Sequence, residues 1–519
     1  MAQEDRRGRM ADRTVPAVGL QRVVTADALH PGVVRTSFAP SWRQSLPLAR
    51  AEGAPMSRPR PLSPADAAFL YAETREAPQH VGTLMRLQPP EEASPEYLRG
   101  VFERLRAAPS VASPWNRKLA TPWFQHNPLH AWVEDEDFDF DYHVRRTAVP
   151  APGDERELGT LVARLHASPL DLSKPLWELH VIEGLEDGGF ALFAKVHHSL
   201  VDGYTLTKAH EHAFTTDPDS PQSRLFYNVP LKTAAVSDDV APSWASATGL
   251  LRSAGQGVRA LGPLTRALSR LTWNRGALVG TFQAPHTPFN QRITRNRRFA
   301  TQQYPLAQLK RLAKASGTTL NDIALAVCGG GIRRYLLDQG ELPDAPLVAF
   351  VPVNIRPEDD PGGGNAVGAL LASMATDVAD PIERLRAVNA STTEAKNQFV
   401  GMTPETIVAY SQTLMAPVGL QTLSAVTGLG GQRILFNVVV SNVPGPPEPL
   451  YFAGARVEAM YPASIVSNGL ALNITLFSYA GQVHLGFTGC RDTVPHLQKL
   501  AVYTGEAVAE LEQALALQP

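Results

Sequence analysis

Cysteine is scarce in this sequence, which has only Cys328 and Cys490 among its 519 residues. Two cysteines cannot build a disulfide framework or a cysteine-rich zinc site. Such a low content is typical of proteins from a reducing compartment, so we expect a cytoplasmic location.

Long apolar runs are missing as well. The most apolar stretches, such as 323–327 and 434–440, are much shorter than the ~20 residues that cross a bilayer as a helix. The N-terminus has no uninterrupted apolar segment followed by small residues, which a secretory signal requires. We therefore expect any membrane contact to be peripheral.

The chain also lacks a strong net charge, which is −2 with a pI near 6.7. This balance gives the whole chain no general attraction to nucleic acid. Apolar residues make up 44% and charged residues 19%, a mixture that suits a globular protein. Because single hydrophobic cores seldom exceed ~250–300 residues, the length predicts two domains.

Acidic residues are absent from one internal stretch: between Asp239 and Asp322 the chain has twelve Lys or Arg residues and no Asp or Glu. Apolar residues recur there at helical spacing, with arginines seven residues apart at Arg252, Arg259 and Arg266. This pattern predicts a basic amphipathic helix pair that binds an anionic ligand or membrane surface. A packed crossover helix with a solvated basic face explains the pattern equally well.

Composition divides the chain into four parts. The first sixty residues have ten Arg, no Lys and five acidic residues, with little hydrophobic periodicity. Residues 1–58 are therefore predicted to form a disordered N-terminal extension. We place an N-terminal domain at 59–225, a basic crossover linker at 226–285 and a C-terminal domain at 286–519.

Hydrophobic periodicity predicts both helices and strands in these domains. Ser63 is expected to cap a first helix that has Pro64 at its first position. Further helices are predicted at Tyr97–Leu105, Leu158–Leu165, Tyr204–Ala213 and Asn321–Leu337. Strands are predicted at Leu176–Ile182, Phe190–Val196, Pro343–Pro352 and Ile434–Ser441. The fold class is therefore α/β or α+β.

A pair of histidines follows the strand at 190–196, in the run His197-His198-Ser199-Leu200-Val201-Asp202-Gly203, here called the HHSLVDG motif. Successive side chains of a strand face opposite sides, so His197 and His198 cannot both enter one site. One histidine is expected to do chemistry while its neighbour packs or forms hydrogen bonds. Asp202 and Gly203 are expected to make a turn in which the glycine can take a left-handed conformation.

A metal site is the alternative interpretation of this motif. His198 and Asp202 would need a helical backbone and at least a third ligand, whereas the preceding residues have the pattern of a strand. We therefore expect no metal. The motif is instead predicted to lie on a strand-to-helix loop, a common position for functional residues.

The HHSLVDG motif resembles the HHxxxDG signature of the bacterial wax ester synthase/diacylglycerol acyltransferase family, which is akin to chloramphenicol acetyltransferase and to peptide-synthetase condensation domains. Between about residues 60 and 515, further segments resemble this family specifically: Leu62–Asp66, Pro175–Trp177, Thr319–Asp322, Val351–Arg356, Gly364-Asn365 and Asn437–Pro446. The resemblance implies two chloramphenicol-acetyltransferase-like sandwich domains of the α/β (α+β) class, with an active-site tunnel at their interface.

The resemblance also implies an O-acyltransferase that esterifies diacylglycerol, a long-chain fatty alcohol, or both. Acyl-CoA would be the co-substrate, with no bound cofactor and no acyl-enzyme. A neutral histidine suits the deprotonation of a hydroxyl near pH 7, and the resemblance assigns this role of general base to His198, with His197 in support. Asp202 and Gly203 are expected to shape the loop. Candidates to bind the oxyanion or the substrate are Asn321, Ser441 and Asn442.

Two other prominent residues have structural interpretations. Trp177 is expected to pack in the core rather than to contact an acyl chain. Cys328 precedes three glycines on a predicted helix, where small residues permit close approach of another element or a ligand. A nucleophilic cysteine needs a nearby base, and nothing in the sequence marks one for Cys328.

Two other functions are alternatives. A condensation-type acyltransferase would take its acyl group from a carrier protein, but the C-terminal segments favour the family named above. A catalytically silent lipid-surface protein would not need the intact His198, Asp202 and Gly203. We expect acyl-CoA and a lipid alcohol as partners, and peripheral contact with the inner membrane or with lipid droplets. The acid-free stretch would then bind acyl-CoA phosphates or an anionic membrane, and the oligomeric state stays open.

A polypeptide that starts at Met56 is expected to keep its fold and activity, because the preceding residues show no core pattern. Soluble expression and turnover of the shortened chain, with the full-length chain as control, measure this. Loss of either property on truncation would contradict the prediction.

Overall fold

The computed structural model describes residues 59–107, 110–222, 224–231, 279–280, 282–354, 367–415, 418–428 and 434–516. From Ser57 to Pro519 the chain forms one compact unit. Three predicted features lie outside the described residues. They are the extension at 1–58, most of the linker at 226–285 with its arginines at 252, 259 and 266, and the family-like residues Ile355, Arg356, Gly364 and Asn365.

Helices form where the sequence supplies caps and an apolar face. Ser63 caps the first helix by accepting a hydrogen bond from the Asp66 amide at 3.1 Å, and Pro64 is its first residue. In chain order the helices are α1 Pro64–Ala72, α2 Tyr97–Arg106, α3 Phe140–His143, α4 Glu155–Ala167, α5 Gly203–Ala213, α6 Leu306–Ser316, α7 Leu320–Gln339, α8 Pro381–Asn397, α9 Pro404–Met415, α10 Val418–Thr427 and α11 Leu497–Ala514. The helices predicted from periodicity are confirmed.

The strands are β1 Arg60–Pro61, β2 His80–Gln88, β3 Arg117–Leu119, β4 Ala131–Glu134, β5 Val144–Ala148, β6 Trp177–Glu183, β7 Phe190–His197, β8 Arg297–Pro305, β9 Val348–Asn354, β10 Val367–Ser373, β11 Val438–Pro444, β12 Tyr451–Phe452, β13 Ala455–Ala463, β14 Leu472–Tyr479 and β15 Gln482–Cys490. The mixed α/β class predicted from the sequence is confirmed.

Two predicted strands begin later than expected. The strand predicted from Pro343 begins at Val348, because prolines in the preceding loop cannot donate to a ladder. The strand predicted from Ile434 begins at Val438. Just before it, the Asn437 side chain accepts the amide hydrogen of Val348 at 2.9 Å, so a side chain replaces one ladder bond there.

The first sheet has the strand order β12-β13-β2-β7-β6-β5. Strand β7 is central, pairs antiparallel with β2 and β6, and is buried along its whole length. This fits its nearly continuous apolar sequence, which is typical of a strand covered on both faces. Strands β12 and β13 come from beyond residue 450, so the C-terminal part of the chain completes the sheet that bears the motif.

The second sheet has the order β10-β9-β11-β14-β15-β8. Strand β11 runs parallel to β9 and β14, and the other neighbours are antiparallel. Helix α7 is buried over most of its length, as expected for a helix that is apolar on all sides. A small third sheet has the order β1-β4-β3.

The two large sheets meet where β15 crosses β13. A Cβ atom on Gly486 would lie 1.7 Å from the Pro462 carbonyl oxygen, so only glycine fits at this crossing. The rings of His484 and Tyr461 are 5.2 Å apart beside it. The sheets are therefore in direct backbone contact, although the predicted division into domains at 59–225 and 286–519 stays a prediction.

None of the helices among the described residues combines the length and the apolar character that a bilayer span requires.

Candidate active site

The HHSLVDG motif begins on the last residue of β7 and ends on the first residue of α5. The predicted alternation of side chains along β7 is confirmed. Leu192, Ala194 and Val196 belong to one apolar cluster, whereas Phe193 belongs to another. His197 and His198 therefore lie in different surroundings.

His197 is fully buried and is held by hydrogen bonds at Nδ1. Its Nδ1 accepts the Ser199 amide hydrogen at 3.1 Å and lies 2.7 Å from the Ser199 hydroxyl. Because an amide can only donate, the proton of a neutral His197 ring must be on Nε2. That nitrogen lies 3.5 Å from the Glu73 carboxylate, so His197 has the surroundings of a structural histidine.

His198 is half-buried and stacks on Phe69 of α1, with ring centroids 4.1 Å apart and an interplanar angle of 18°. Its backbone amide donates to the Gln79 carbonyl at 2.9 Å. The aromatic contact and the backbone bond together orient this imidazole without enclosing it as His197 is enclosed. His198 is thus the less buried of the two motif histidines.

Asp202 caps helix α5. Its carboxylate accepts the Thr205 amide hydrogen at 2.8 Å, and the side chain is buried. The structural role predicted for Asp202 is consistent with this bond. Gly203 is the first helical residue and does not use the left-handed conformation that a glycine can adopt. The cap formed by Asp202 already completes the change from strand to helix.

A loop that the sequence did not single out supports the motif. Residues Glu73–Gln79, here called the supporting loop, connect α1 to β2. The Glu73 carboxylate accepts the Gln79 amide hydrogen and faces His197, while the Gln79 carbonyl binds the His198 amide. One loop therefore contacts both histidines. The predicted helix cap at Ser63, at the start of the preceding helix, is the nearest feature that the sequence indicated.

Lys195 fixes the other side of β7. Its ammonium group is fully buried, lies 3.0 Å from Glu178 and donates to the carbonyls of Leu165 and Ser168 at the end of α4. Burial opposes ionisation of Glu178, but the hydrogen bond from His180 and the nearby cations Lys195 and Arg145 outweigh it and lower the pKa of Glu178 to about 2. The ion pair joins the motif strand to β6, and the two carbonyl bonds attach the end of α4 to it.

A pair of buried histidines continues this attachment toward the C-terminal part of the chain. His80, the cross-strand partner of His197, has Nε2 2.8 Å from the His166 carbonyl. His166 in turn has Nε2 3.0 Å from the Ser464 carbonyl, just after β13. Burial lowers the pKa of His166 to about 3, so this ring is neutral at physiological pH and serves as a hydrogen-bonding strut.

The predicted oxyanion candidates come from the second sheet and the helix packed on it. Asn321 is the second residue of α7 and is half-buried. Ser441 and Asn442 lie on β11, paired with Thr475 and Leu476 of β14, and Asn442 is exposed. The role of these residues stays a prediction.

The packing interpretation of Trp177 is confirmed. The indole is fully buried, donates to the Trp115 carbonyl at 2.8 Å and stacks on Tyr227 with centroids 5.0 Å apart. It anchors the start of β6 beside the motif strand. An indole that is surrounded by protein in this way is a core residue.

Cys328 and its glycines have the expected packing role. Burial raises the pKa of the Cys328 thiol to about 12, which keeps it protonated and poorly nucleophilic. A Cβ on Gly329 would lie 2.4 Å from the Met374 carbonyl oxygen, and one on Gly331 would lie 2.6 Å from the Thr504 hydroxyl. The glycines therefore let β10 and α11 approach α7 closely.

Solved structures show what class of protein this fold and motif define. The first condensation domain of the CDA synthetase, 17% identical, matches 89% of this chain and 97% of its own with a TM-score of 0.54, which establishes a shared fold. The wax ester synthase/diacylglycerol acyltransferase from Marinobacter aquaeolei VT8, 37% identical, matches 88% of this chain and 100% of its own with a TM-score of 0.71. The fold is that of the chloramphenicol-acetyltransferase-like acyltransferases, as predicted.

Sequence comparisons specify the family. The model of the wax ester synthase/diacylglycerol acyltransferase catalytic domain matches residues 62–324, and that of the family's C-terminal domain matches 363–512. A Mycobacterium tuberculosis protein named as a diacylglycerol O-acyltransferase is 47% identical over 88% of this chain and 97% of its own. The O-acyltransferase WSD of Acinetobacter baylyi is 36% identical over 88% and 98%. The chain belongs to the wax ester synthase/diacylglycerol acyltransferase family, and the predicted O-acyltransferase activity is confirmed at that level.

The two motif histidines are expected to give opposite phenotypes on substitution. His198→Ala should lower acyl-transfer turnover by about 10²-fold or more with little change in melting temperature, since it removes a proton acceptor and little packing. His197→Ala should destabilise the fold by about 1–3 kcal/mol, because it leaves buried Glu73 without its imidazole partner. Turnover and thermal unfolding measure the two effects.

The exposed His212 provides a control, since His212→Ala should change neither property. Asp202→Ala should lower both activity and stability, because the cap of α5 is removed. A fully active His198→Ala variant beside an inactive but well-folded His197→Ala variant would show that the chemistry uses the other imidazole.

Proposed function

We propose that this protein transfers an acyl group from acyl-CoA to the hydroxyl of a lipid alcohol, with His198 as the general base. The observation that carries the proposal is the difference between the two motif histidines in a chain of this family. His197 is fully buried against Glu73 and Ser199, whereas His198 is half-buried and oriented by Phe69 and Gln79. Only His198 has surroundings suited to proton transfer with a substrate.

Direct acyl transfer needs only this single base, which takes up one proton and later returns it. His198 removes the proton of the acceptor hydroxyl while the oxygen attacks the thioester carbonyl, which forms a tetrahedral oxyanion. The C–S bond then breaks, the ester is released and the departing CoA sulfur takes the proton from His198. A base of this kind is typically worth ~10²–10⁴-fold in rate.

An acyl-enzyme is not needed for this chemistry. Cys328 is fully buried with a raised thiol pKa, and Ser199 is buried with its hydroxyl directed at His197 Nδ1. Neither residue has the combination of exposure and adjacent base that an activated nucleophile requires. The oxyanion needs a hydrogen-bond donor, which is typically worth ~10²–10³-fold, and we assign it to the group Asn321, Ser441 and Asn442.

The acceptor is proposed to be diacylglycerol, a long-chain fatty alcohol, or both. The relatives support this range, because their names include a diacylglycerol O-acyltransferase and a wax ester synthase. A carrier-protein-dependent reaction has weaker support, since the likeness to a condensation domain is at 17% identity and concerns the fold. A catalytically silent lipid-surface protein would have no use for the placement of His198.

We also propose that the protein works at a lipid surface, which a loop between β3 and β4 would contact. The stretch Leu119–Val133 has no Asp, Glu, Lys or Arg, and both Trp123 and Leu129 are 82% exposed at its tip. Exposed apolar side chains with a tryptophan are typical of segments that enter the membrane interface.

Several polar groups of this loop are satisfied by the protein itself, which lowers the cost of entering a lipid surface. Gln125 donates to the carbonyls of Leu70 and Glu73 at 2.8 and 2.7 Å, and the Tyr71 hydroxyl donates to the Asn127 carbonyl at 2.9 Å. These bonds attach the loop to α1, the helix whose Phe69 stacks on His198. The surface contact is thereby connected to the proposed base.

Incubation of the purified protein with palmitoyl-CoA and either diacylglycerol or hexadecanol is expected to yield triacylglycerol or wax ester together with free CoA in equal amounts. Product extraction and thiol titration measure the two. Palmitoyl-CoA without an acceptor is the control for hydrolysis. Failure to form ester with both acceptors would refute the proposed activity.

The double variant Trp123→Ser, Leu129→Ser is expected to reduce binding to phosphatidylcholine vesicles by at least about tenfold. Removing both side chains forfeits on the order of 2–3 kcal/mol of apolar burial each, and tenfold corresponds to ~1.4 kcal/mol. Co-sedimentation measures the binding, with Val400→Ser, at a site 78% exposed, as control. Equal binding of the double variant and wild type would contradict a role for this loop.

A further inference from the structure

A concave feature lies outside the motif, between α4 and the start of β8. It is a cavity of about 240 Å³ whose polar lining comes from Arg164, Asn296, Arg297, Arg298, Arg491 and Gln498. We call it the basic cleft. Glycine and alanine residues of α4 leave room on its other wall, since Gly159, Thr160 and Ala163 line it as well.

Positive charge in the basic cleft is poorly compensated. Its lining has four arginines and no carboxylate. Arg491 lies 3.5 Å from Asp492, but no salt bridge pairs Arg164, Arg297 or Arg298 with a carboxylate among the described residues. Arginines without a carboxylate partner beside one cavity favour an anionic ligand.

Arg297 lines the cleft and is almost completely buried. Its guanidinium donates to the carbonyls of Thr294 and Glu76, each at 2.6 Å. Carbonyl oxygens satisfy its hydrogens without neutralising its charge. Burying an uncompensated charge is costly, and a bound anion at the half-buried Arg298 next to it would lower that cost.

Two chains of contacts connect residues of the basic cleft with the motif. Arg297 binds Glu76 of the supporting loop, whose Gln79 carbonyl accepts the His198 amide hydrogen. Arg164 is two residues before His166 on α4, and the His166 carbonyl contacts His80, the strand partner of His197. A ligand with its anionic end in the cleft could therefore extend toward the motif.

Acyl-CoA has this shape and charge. Its thioester is at one end of a flexible pantetheine arm, and its pyrophosphate and 3′-phosphate are at the other. Arginine recognises phosphate through paired N–H···O bonds, and the arm separates the phosphates from the reacting carbonyl. A site for them must therefore lie beside the motif and not within it.

We propose that the basic cleft binds the phosphates of the acyl-CoA donor, an inference that rests on the acyl-CoA dependence proposed above. Arg298 and Arg164 bind the phosphate groups, and the positive charge of the buried Arg297 adds to the attraction. Two of these arginines, Arg297 and Arg298, belong to the acid-free stretch between Asp239 and Asp322. The described part of that stretch thus contributes to a concave site.

Two donors with the same acyl group test this assignment. Octanoyl-CoA carries the phosphates, whereas octanoyl-pantetheine offers the same thioester without them. The double variant Arg164→Ala, Arg298→Ala is expected to raise KM for octanoyl-CoA at least about tenfold, with kcat within about twofold and KM for octanoyl-pantetheine unchanged. Arg298→Lys should restore part of the affinity, because it returns the charge without the paired donors.

Arg156 is the matched control, as an exposed arginine on the same helix that does not line the cleft. Arg156→Ala should leave both KM values unchanged. Equal increases in KM for the two donors in the double variant would mean that the arginines act on the fold or on the acyl site, and would overturn the proposal.

Calorimetric titration with adenosine 3′,5′-bisphosphate separates this proposal from the catalytic one, because it needs no turnover. Wild type should bind this fragment, and the double variant should bind it at least about tenfold more weakly at an unchanged melting temperature. No binding to wild type, or equal binding to both, would overturn the assignment. The assignment would also be overturned if the double variant bound adenosine 3′,5′-bisphosphate as wild type does but no longer bound phosphatidylglycerol vesicles. The cleft would then hold lipid headgroups. If neither thioester gives ester, the proposed activity fails while the titration still decides the cleft.

Discussion

Side-chain alternation along one buried strand is the constraint on which this site depends. Two adjacent imidazoles at the end of β7 must face opposite sides of the sheet, and the protein supplies a different environment on each side. His197 lies against Glu73 and Ser199, and His198 lies against Phe69. A slip of one residue would exchange these environments. Because β7 is paired on both edges and covered on both faces, its register is firmly fixed.

Support for that strand comes from distant parts of the chain. Lys195 attaches it to the end of α4, and His166 continues from α4 to Ser464 beyond β13. Arg297, at the start of β8, holds the supporting loop through Glu76. Most of these bonds end on backbone carbonyls, so they position the backbone of the motif more than they tune its side chains. The N-terminal and C-terminal parts of the chain therefore share one site.

Local features of this fold were predictable because their causes are local. The cap at Ser63, the helix after Gly203 and the strand at 190–196 follow from nearby residues, and the opposite facing of the two histidines follows from strand geometry. Contacts between distant segments have no such signal. Neither the pairing of Glu73 with His197 nor the stacking of Phe69 on His198 is visible in spacing, since each depends on where α1 packs. A glycine likewise permits a left-handed conformation without requiring it, and Gly203 begins helix α5 instead.

The participation of β13 in the first sheet has a consequence for biosynthesis. Strand β2 pairs with β7 on one edge and with β13 on the other, and β13 ends only at Ala463. While the ribosome is still making the preceding residues, β2 has an unpaired edge of the kind that promotes association between nascent chains. The strand that carries the two histidines is thus finished early in synthesis, but its sheet closes only after nearly nine-tenths of the polypeptide has emerged.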